Sequence, residues 1–345
     1  MNGYERIMAA FRGEPPDTVP IMLHNFMMAA REAGITMQQF RQDPAAIARA
    51  FIQAVETYGY DGIIVDVNTV TLARAAGVPV DIPVDEPART AGALLSRLEQ
   101  VDDLEPVDIS ADDGVRAWLE AVTLLRAHFG NEILIRGNCD QCPFTLASML
   151  RGNEAWLTEL LDPDQRERVD MLLRHCTEIT GQFIRLMATT GAHMTSNGDS
   201  FAGPELISPE LYRAFALPYE RHIATLAHTM NLPYILHICG NTAPIIRDMV
   251  STGSDGLEID YKTDVHLAHK VLKDRTVFVG NVDPSGILAM GTPALVEETT
   301  HSLLEVFADT PRFVLNAGCA IPPVTPPENL RAMIRAARQF SSRRS

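Results

Sequence analysis

The chain has 345 residues, 46% of them hydrophobic, a length that suits one barrel domain or two smaller ones. Its net charge of −15 argues against nucleic acid as a partner, and an anionic substrate would need a local counter-charge or a cation. No run approaches the roughly 18 apolar residues of a membrane span, the opening MNGYERIMAAFRGEPPD lacks the regions of a secretory leader, and five unevenly spread cysteines make no disulfide framework. The expectation is a cytoplasmic protein with no membrane partner.

Short β-branched runs alternate with longer amphipathic segments, as in parallel strands joined by crossover helices. The predicted strands are 19–23 (VPIML), 61–67 (DGIIVDV), 132–137 (EILIRG), 192–197 (AHMTSN), 234–239 (YILHIC), 255–260 (DGLEID), 276–280 (TVFVG) and 312–316 (RFVLN). Helical stretches follow them, among them 209–230, 242–251, 292–308 and 326–340, several opened by a Ser-Pro or Thr-Pro start signal. Eight such units favour a closed (β/α)8 TIM barrel over an open sheet. Segment 73–107, with its GVPVDIPVDEPARTAG, breaks the repeat and reads as an insertion after the second strand, forming a short hairpin over the barrel mouth. The closing FSSRRS reads as a frayed tail.

Active sites in this fold gather where the strands end. Those ends supply Asp66 and Asn68, then Asn138, Cys139 and Cys142, then Asn197 and Asp199. They continue with His237, Cys239 and Asn241, with Glu258 and Asp260, with Asn281 and Asp283, and with Asn316 and Cys319. A ring this polar exceeds what a core tolerates unpaired, so a site is expected there.

His237 and Cys239, in LHICGN, lie two apart and share one strand face. Alone, the pair reads as packing. Cys319 alters that, because NAGCAIPPVTP is a tight loop leaving the last strand, an unusual place for a space-filling cysteine. One nitrogen and two sulfurs form a set that zinc favours, with a fourth position open, and a barrel rim is narrow enough for them to converge. Glu258 is a further oxygen ligand or a partner of the ligands. Asp66 and Asp199 read equally as functional groups (a general acid or base, a partner of a ligand histidine, or a fourth ligand) and as caps of the helices that follow them. CDQC (Cys139 to Cys142) has no second pair at zinc-ribbon spacing and reads as packing.

Four stretches, GYERIMAAFRGEPPDTVPI, GPELISPELYRAFALPYERHI, GNVDP and NAGCAIPPVTPPENLRAMIRAAR, together resemble the uroporphyrinogen decarboxylase superfamily over essentially the whole chain. The resemblance implies one barrel over residues 1–345 and one of two chemistries: porphyrinogen decarboxylation, or zinc-dependent methyl transfer between a corrinoid and a thiol. The decarboxylases carry RQAGRY after the first strand to hold substrate carboxylates, whereas MLHNFMMAAREAG offers only Arg31. Their late NLGHG is NAGCA here, and HICG matches the H-x-C of the methylcobamide:coenzyme M methyltransferases.

Carried over from that branch, His237, Cys239 and Cys319 would be the Zn2+ ligands; Glu258, beside them on the next strand, stays a further oxygen ligand or a partner of the ligands on its own reading. The reading that follows expects Asp66 and Asp199 in catalysis, Asn241 and Asn281 against the corrinoid, and Arg136 and Asn197 against the substrate. Methylcobamide would arrive on a corrinoid-binding protein, since the barrel uses up the chain. The acceptor would be a small thiol such as coenzyme M, or a folate. Asp66 also lies where the decarboxylases place a catalytic aspartate, so a decarboxylase is the alternative. A non-catalytic corrinoid- or porphyrinoid-binding protein with a structural zinc is the third reading.

Overall fold

The computed structural model describes residues 1–342, with side chains as far as residue 340, so the last three residues of the FSSRRS tail lie outside the described residues. All eight predicted barrel strands form. They are β1 (Met22–Leu23), β2 (Gly62–Val65), β5 (Leu134–Gln141), β6 (Met194–Gly198), β7 (Tyr234–Ile238), β8 (Gly256–Ile259), β9 (Val277–Val282) and β10 (Phe313–Ala317). Every neighbouring pair is parallel, in the order β1-β2-β5-β6-β7-β8-β9-β10. A parallel bridge between Ile21 and Leu315 joins the two edges, and the Leu315 amide donates to the Pro20 carbonyl at 2.9 Å. The sheet therefore closes into a (β/α)8 barrel with no free edge.

Between β2 and β5 the chain makes a small antiparallel hairpin, β3 (Val80–Asp81) and β4 (Arg89–Thr90), with Val80 opposite Thr90. Its tip leans on the short helix Met37–Gln42. The Gln38 amide donates to the Val84 carbonyl at 2.8 Å, and buried Arg41 donates to the Pro83 carbonyl at 2.8 Å.

Alternation along the strands divides the barrel interior into two layers. The lower layer is apolar: Met22, Ile64, Leu134, Met194, Ile235, Val277 and Val314 pack on Ile7 and Ala10 of the helix Gly3–Arg12, which plugs the base. Two residues further on, the same faces carry Arg136, Ser196, His237, Asn316 and Glu258, all buried. A polar layer at this height needs its own partners. It forms the floor of the mouth.

Two helix expectations fail in part. Segment 209–230 is two helices, Pro209–Phe215 and Leu217–Thr229, because Pro218 has no amide proton to continue the first and suits the opening turn of the second. Ser208 and Thr292 cap their helices as the Ser-Pro and Thr-Pro signals predict, accepting from the Leu211 and Leu295 amides at 3.3 Å each. Segment 242–251 is helical only over Ile246–Val250. No helix among the described residues is long and apolar enough to cross a membrane.

Candidate metal centre

The β7 to β8 register sets His237 opposite Glu258 and brings its Nδ1 to 3.0 Å from the Glu258 main-chain carbonyl. A carbonyl can only accept, so Nδ1 carries the proton and Nε2 is the nitrogen turned to the mouth. Cys239 Sγ lies 3.2 Å from Nε2, and Cys319 Sγ lies 4.0 Å from it. All three donor atoms fall within 4.8 Å of one another. A tetrahedral zinc with bonds of about 2.0 Å to nitrogen and 2.3 Å to sulfur sets neighbouring donors roughly 3.5 to 3.8 Å apart. The observed separations straddle that range, so the donor set fits a zinc-type ion.

Two glycines make the convergence possible. Gly240 turns the chain directly after Cys239 at φ +86°, and its amide donates to Asp260 Oδ2 at 2.8 Å. Gly318, just before Cys319, lies so close to β8 that an added Cβ would meet the Tyr261 nitrogen at 2.4 Å. Either position with a side chain would push a cysteine away from His237.

Without a metal, the three groups share protons. The Cys319 thiol donates to Cys239, and with help from His237 and Ser200 this outweighs burial and pulls the Cys239 thiol far below its ordinary value. The same bond, with burial, drives Cys319 well up. Burial alone would lower His237, but the Cys239 thiolate reverses this and raises it to about 10. At pH 7 the set therefore holds two removable protons, one on His237 and one on Cys319. Metal ligation requires a neutral imidazole and two thiolates. Zinc binding is expected to release about two protons per ion at pH 7; a pH-indicator dye in weak buffer would count them, and a release near zero would contradict this assignment.

Below the metal-capable set lies a chain of buried charges. Arg136 Nη2 meets Glu258 Oε2 at 2.5 Å, Arg136 Nε donates to Ser196 Oγ at 2.7 Å, and Asn316 Nδ2 donates to Glu258 Oε1 at 3.4 Å. Burial would raise the Glu258 carboxyl, but Arg136, then His24 and His237, hold it well below the usual carboxylate range. His24 stands between two acids, its Nε2 at 2.8 Å from Asp66 Oδ2 and its Nδ1 at 3.4 Å from Glu258 Oε1. Burial acts to lower its pKa, yet these partners raise it to about 9.

That shift gives stability a pH dependence. A histidine raised above its ordinary 6.5 adds stability fully below 6.5 and loses it as pH climbs through about 9. Up to about 3 kcal/mol is at stake. Denaturant unfolding at pH 6 and pH 9.5 should show that loss in the wild type and a smaller one in Asp66→Asn, while equal losses would show that Asp66 does not hold the proton.

Residues 2–340 match the uroporphyrinogen decarboxylase (URO-D) family. The chain belongs to the URO-D family. It is 30% identical to methylcobamide:CoM methyltransferase MtbA of Methanosarcina acetivorans, with 97% of each chain covered. It is also 28% identical to the uroporphyrinogen decarboxylase of Synechococcus sp. (strain CC9605), covering 98% of this chain and 97% of the other. A solved methyltransferase from Methanosarcina mazei superposes with a TM-score of 0.90 at 24% identity, over 99% of each chain, which is a likeness of fold.

Within this URO-D chain the predicted site residues separate into those at the centre and those that hold the scaffold. His237, Cys239 and Cys319 converge; Glu258 supports His237 through its carbonyl while its carboxylate goes to Arg136. Asp66 reaches the mouth through His24. Arg136 is engaged as an ion pair. Asn197 donates to the Cys139 carbonyl at 2.5 Å and accepts from the Tyr234 hydroxyl at 3.2 Å. Asn281 donates to the Asp260 carbonyl at 3.2 Å, and exposed Asn241 closes a turn by accepting from the Ala243 amide at 3.1 Å.

Asp199 is buried and caps the helix Pro143–Arg151 from outside the metal-capable set, its Oδ1 accepting from the Thr145 amide at 2.7 Å. Burial raises it to about 6, and it shares a proton with Glu220, which Tyr212 also bonds. Its neighbour Ser200 donates to Cys239 Sγ at 3.0 Å. Cys139 and Cys142 meet different hydroxyls, those of Thr195 at 3.2 Å and Tyr234 at 3.4 Å, and burial pushes both thiols up, so CDQC packs as its spacing suggests. His24 and Ser200 are the two residues at this centre that sequence reasoning passed over.

Proposed function

We propose that this URO-D family chain is a zinc-dependent methyltransferase that moves a methyl group between a methylated corrinoid and a thiol. The observation that carries the reading is the aim of His237 Nε2 at two sulfurs, with Nδ1 locked on a carbonyl. The activity named for its Methanosarcina relatives, methylcobamide:CoM methyltransferase, supports the same reading. The methylated corrinoid would come on a separate corrinoid-binding protein docked at the barrel mouth, and the five free cysteines suit a reducing cytoplasm.

Bound zinc would hold an acceptor thiol as its thiolate. A free thiol of pKa about 8.5 is only a few per cent ionised at pH 7, a deficit of roughly 1.5 units or about 2 kcal/mol. The chain supplies the rest by position. Cys239 and Cys319 give the centre two negative charges, Ser200 and the Glu258 carbonyl hold the ligands in place, and His24, as the imidazolium between Asp66 and Glu258, sets a fixed positive charge beside the mouth. A porphyrinogen carboxylate clamp is a poorer fit, since Arg136 is already paired with Glu258, which leaves Arg31 and Arg41 alone to offset a substrate of many carboxylates.

Metal analysis with a methylcobalamin assay over several thiols tests the proposal. The expected result is about one zinc per chain and thiol-dependent loss of methylcobalamin that stops when the metal is stripped. Metal-independent formation of coproporphyrinogen from uroporphyrinogen would overturn it.

A further inference from the structure

Beside the centre lies a cleft of about 670 Å³ between the segment after β1, the insertion hairpin and the loop after Cys319. Its volume falls within the roughly 300–1,000 Å³ of pockets that bury drug-sized ligands. Much of its wall is apolar, with Phe26, Met27, Ile35, Met37 and Val67 facing in. The cleft adjoins His24, and the loop that leaves Cys319 supplies Pro322, Pro323 and Val324 to its wall. The Phe26 ring lies 5.7 Å from the His24 ring, centroid to centroid, and the Ile321 amide, two residues after Cys319, donates to the His24 carbonyl at 2.8 Å.

The charges in this wall run against the rest of the molecule. In a chain of net charge −15, the cleft is lined by Arg31, Arg41 and Asp85, a local sum of +1 from two cations and one anion. Asp85 accepts from the Met37 amide at 3.1 Å and acts on Arg41 through space, beyond ion-pair distance. Among the described residues neither arginine has a carboxylate within ion-pair distance: Arg31 donates to the Pro323 carbonyl at 2.7 Å and Arg41 to the Pro83 and Glu86 carbonyls at 2.8 and 2.5 Å. Arg41 is only 5% exposed, and its Nε is buried with no partner. A buried guanidinium nitrogen left without an acceptor is costly, and an anion entering the cleft would relieve it.

We infer that this cleft receives the body of the methyl acceptor, which is an amphipathic monoanion: a carboxylate or sulfonate head met by the arginines, and an apolar or aromatic body on Phe26, Met27, Ile35 and Met37, with the thiol end toward His237 and the cysteines. The inference rests on the proposed methyltransferase reading for the direction in which the thiol points. It names a larger and more apolar acceptor than 2-mercaptoethanesulfonate, which would leave most of the apolar wall bare.

Binding alone tests this, on the full chain with and without zinc and with no corrinoid present. The fluorescent probe 8-anilinonaphthalene-1-sulfonate should bind once per chain. It should be displaced by 3-(4-mercaptophenyl)propanoate and by 4-mercaptobenzenesulfonate at least about tenfold more effectively than by neutral 4-methylbenzenethiol or by 2-mercaptoethanesulfonate. The two aromatic anions separate carboxylate from sulfonate as the favoured head. Arg31→Gln should weaken the anionic thiols about tenfold and leave the neutral one unchanged. Met27→Trp, or Val324→Trp at a lining position 66% exposed and so safe for folding, should block the probe.

Equal displacement by neutral and anionic thiols, no effect of Arg31→Gln, or probe binding that survives both tryptophan variants would each overturn the assignment. These readouts do not use methyl transfer. A protein that binds aromatic anionic thiols here and fails to demethylate methylcobalamin keeps the cleft and loses the proposed reaction, and the reverse result does the opposite.

Discussion

Replacing Cys239 by alanine is expected to abolish metal binding and methyl transfer together. The substitution removes the sulfur nearest to His237 Nε2, leaving His237 and Cys319 4.0 Å apart as the only two members of the set. Two donors do not hold a structural or catalytic zinc, which takes at least three protein ligands. Changing a residue that merely supports a ligand costs about 10- to 100-fold in metal affinity or activity. Loss of Cys239 should exceed roughly 100-fold in both, and Cys319→Ala should match it. Ser200→Ala serves as the control inside the same experiment, since it removes only the 3.0 Å bond to Cys239 Sγ and should stay within the smaller range. Zinc content by elemental analysis and methylcobalamin loss by absorbance check the prediction. A Cys239→Ala protein that keeps one zinc and full activity would falsify the metal assignment.

The same site shows why some of it was legible in the sequence and some was not. Strand periodicity places His237 and Cys239 on one face whatever the rest of the chain does, and barrel closure then delivers Cys319 to the rim, so the convergence of these three side chains follows from local pattern plus topology. His24 carries no such signal. Its two acids are 42 and 234 positions away in sequence, and nothing in MLHNF indicates that both will face it. Asp199 presents the opposite case. NGDSF looks like a site motif, yet Glu220 and the Thr145 amide, which only the folded chain brings near, make it a buried cap, and the contact with Cys239 passes to Ser200. Helix 209–230 was overextended because its apolar spacing continues through FALPYE, where one missing amide at Pro218 decides the break.

Arg136 could not be resolved from sequence either, since a substrate clamp and an ion pair look alike in EILIRG. The geometry favours the pair, and Arg136→Met should destabilise the fold by about 3–5 kcal/mol, because Glu258 is left charged and buried at 1% exposure. His24 at 3.4 Å would soften that loss without replacing a contact of 2.5 Å.

The sign of the pH dependence separates this from other causes. With Arg136 present, Glu258 is held below its ordinary range, so its contribution is complete above the normal carboxyl pKa and fades as pH falls through the depressed one. With Arg136 gone, burial acts with less opposition and Glu258 takes up a proton more readily, so the deficit should be largest near neutrality and shrink in acid. The double variant Arg136→Met, Glu258→Leu removes both charges and should recover most of the stability, as replacing a buried pair by apolar groups does elsewhere. Denaturant midpoints for the wild type, the single and the double variant at pH 7 and pH 4.5 measure all of this. If Arg136 instead held substrate, the single variant would unfold like the wild type and lose only acceptor affinity, which would show as a higher KM at unchanged kcat.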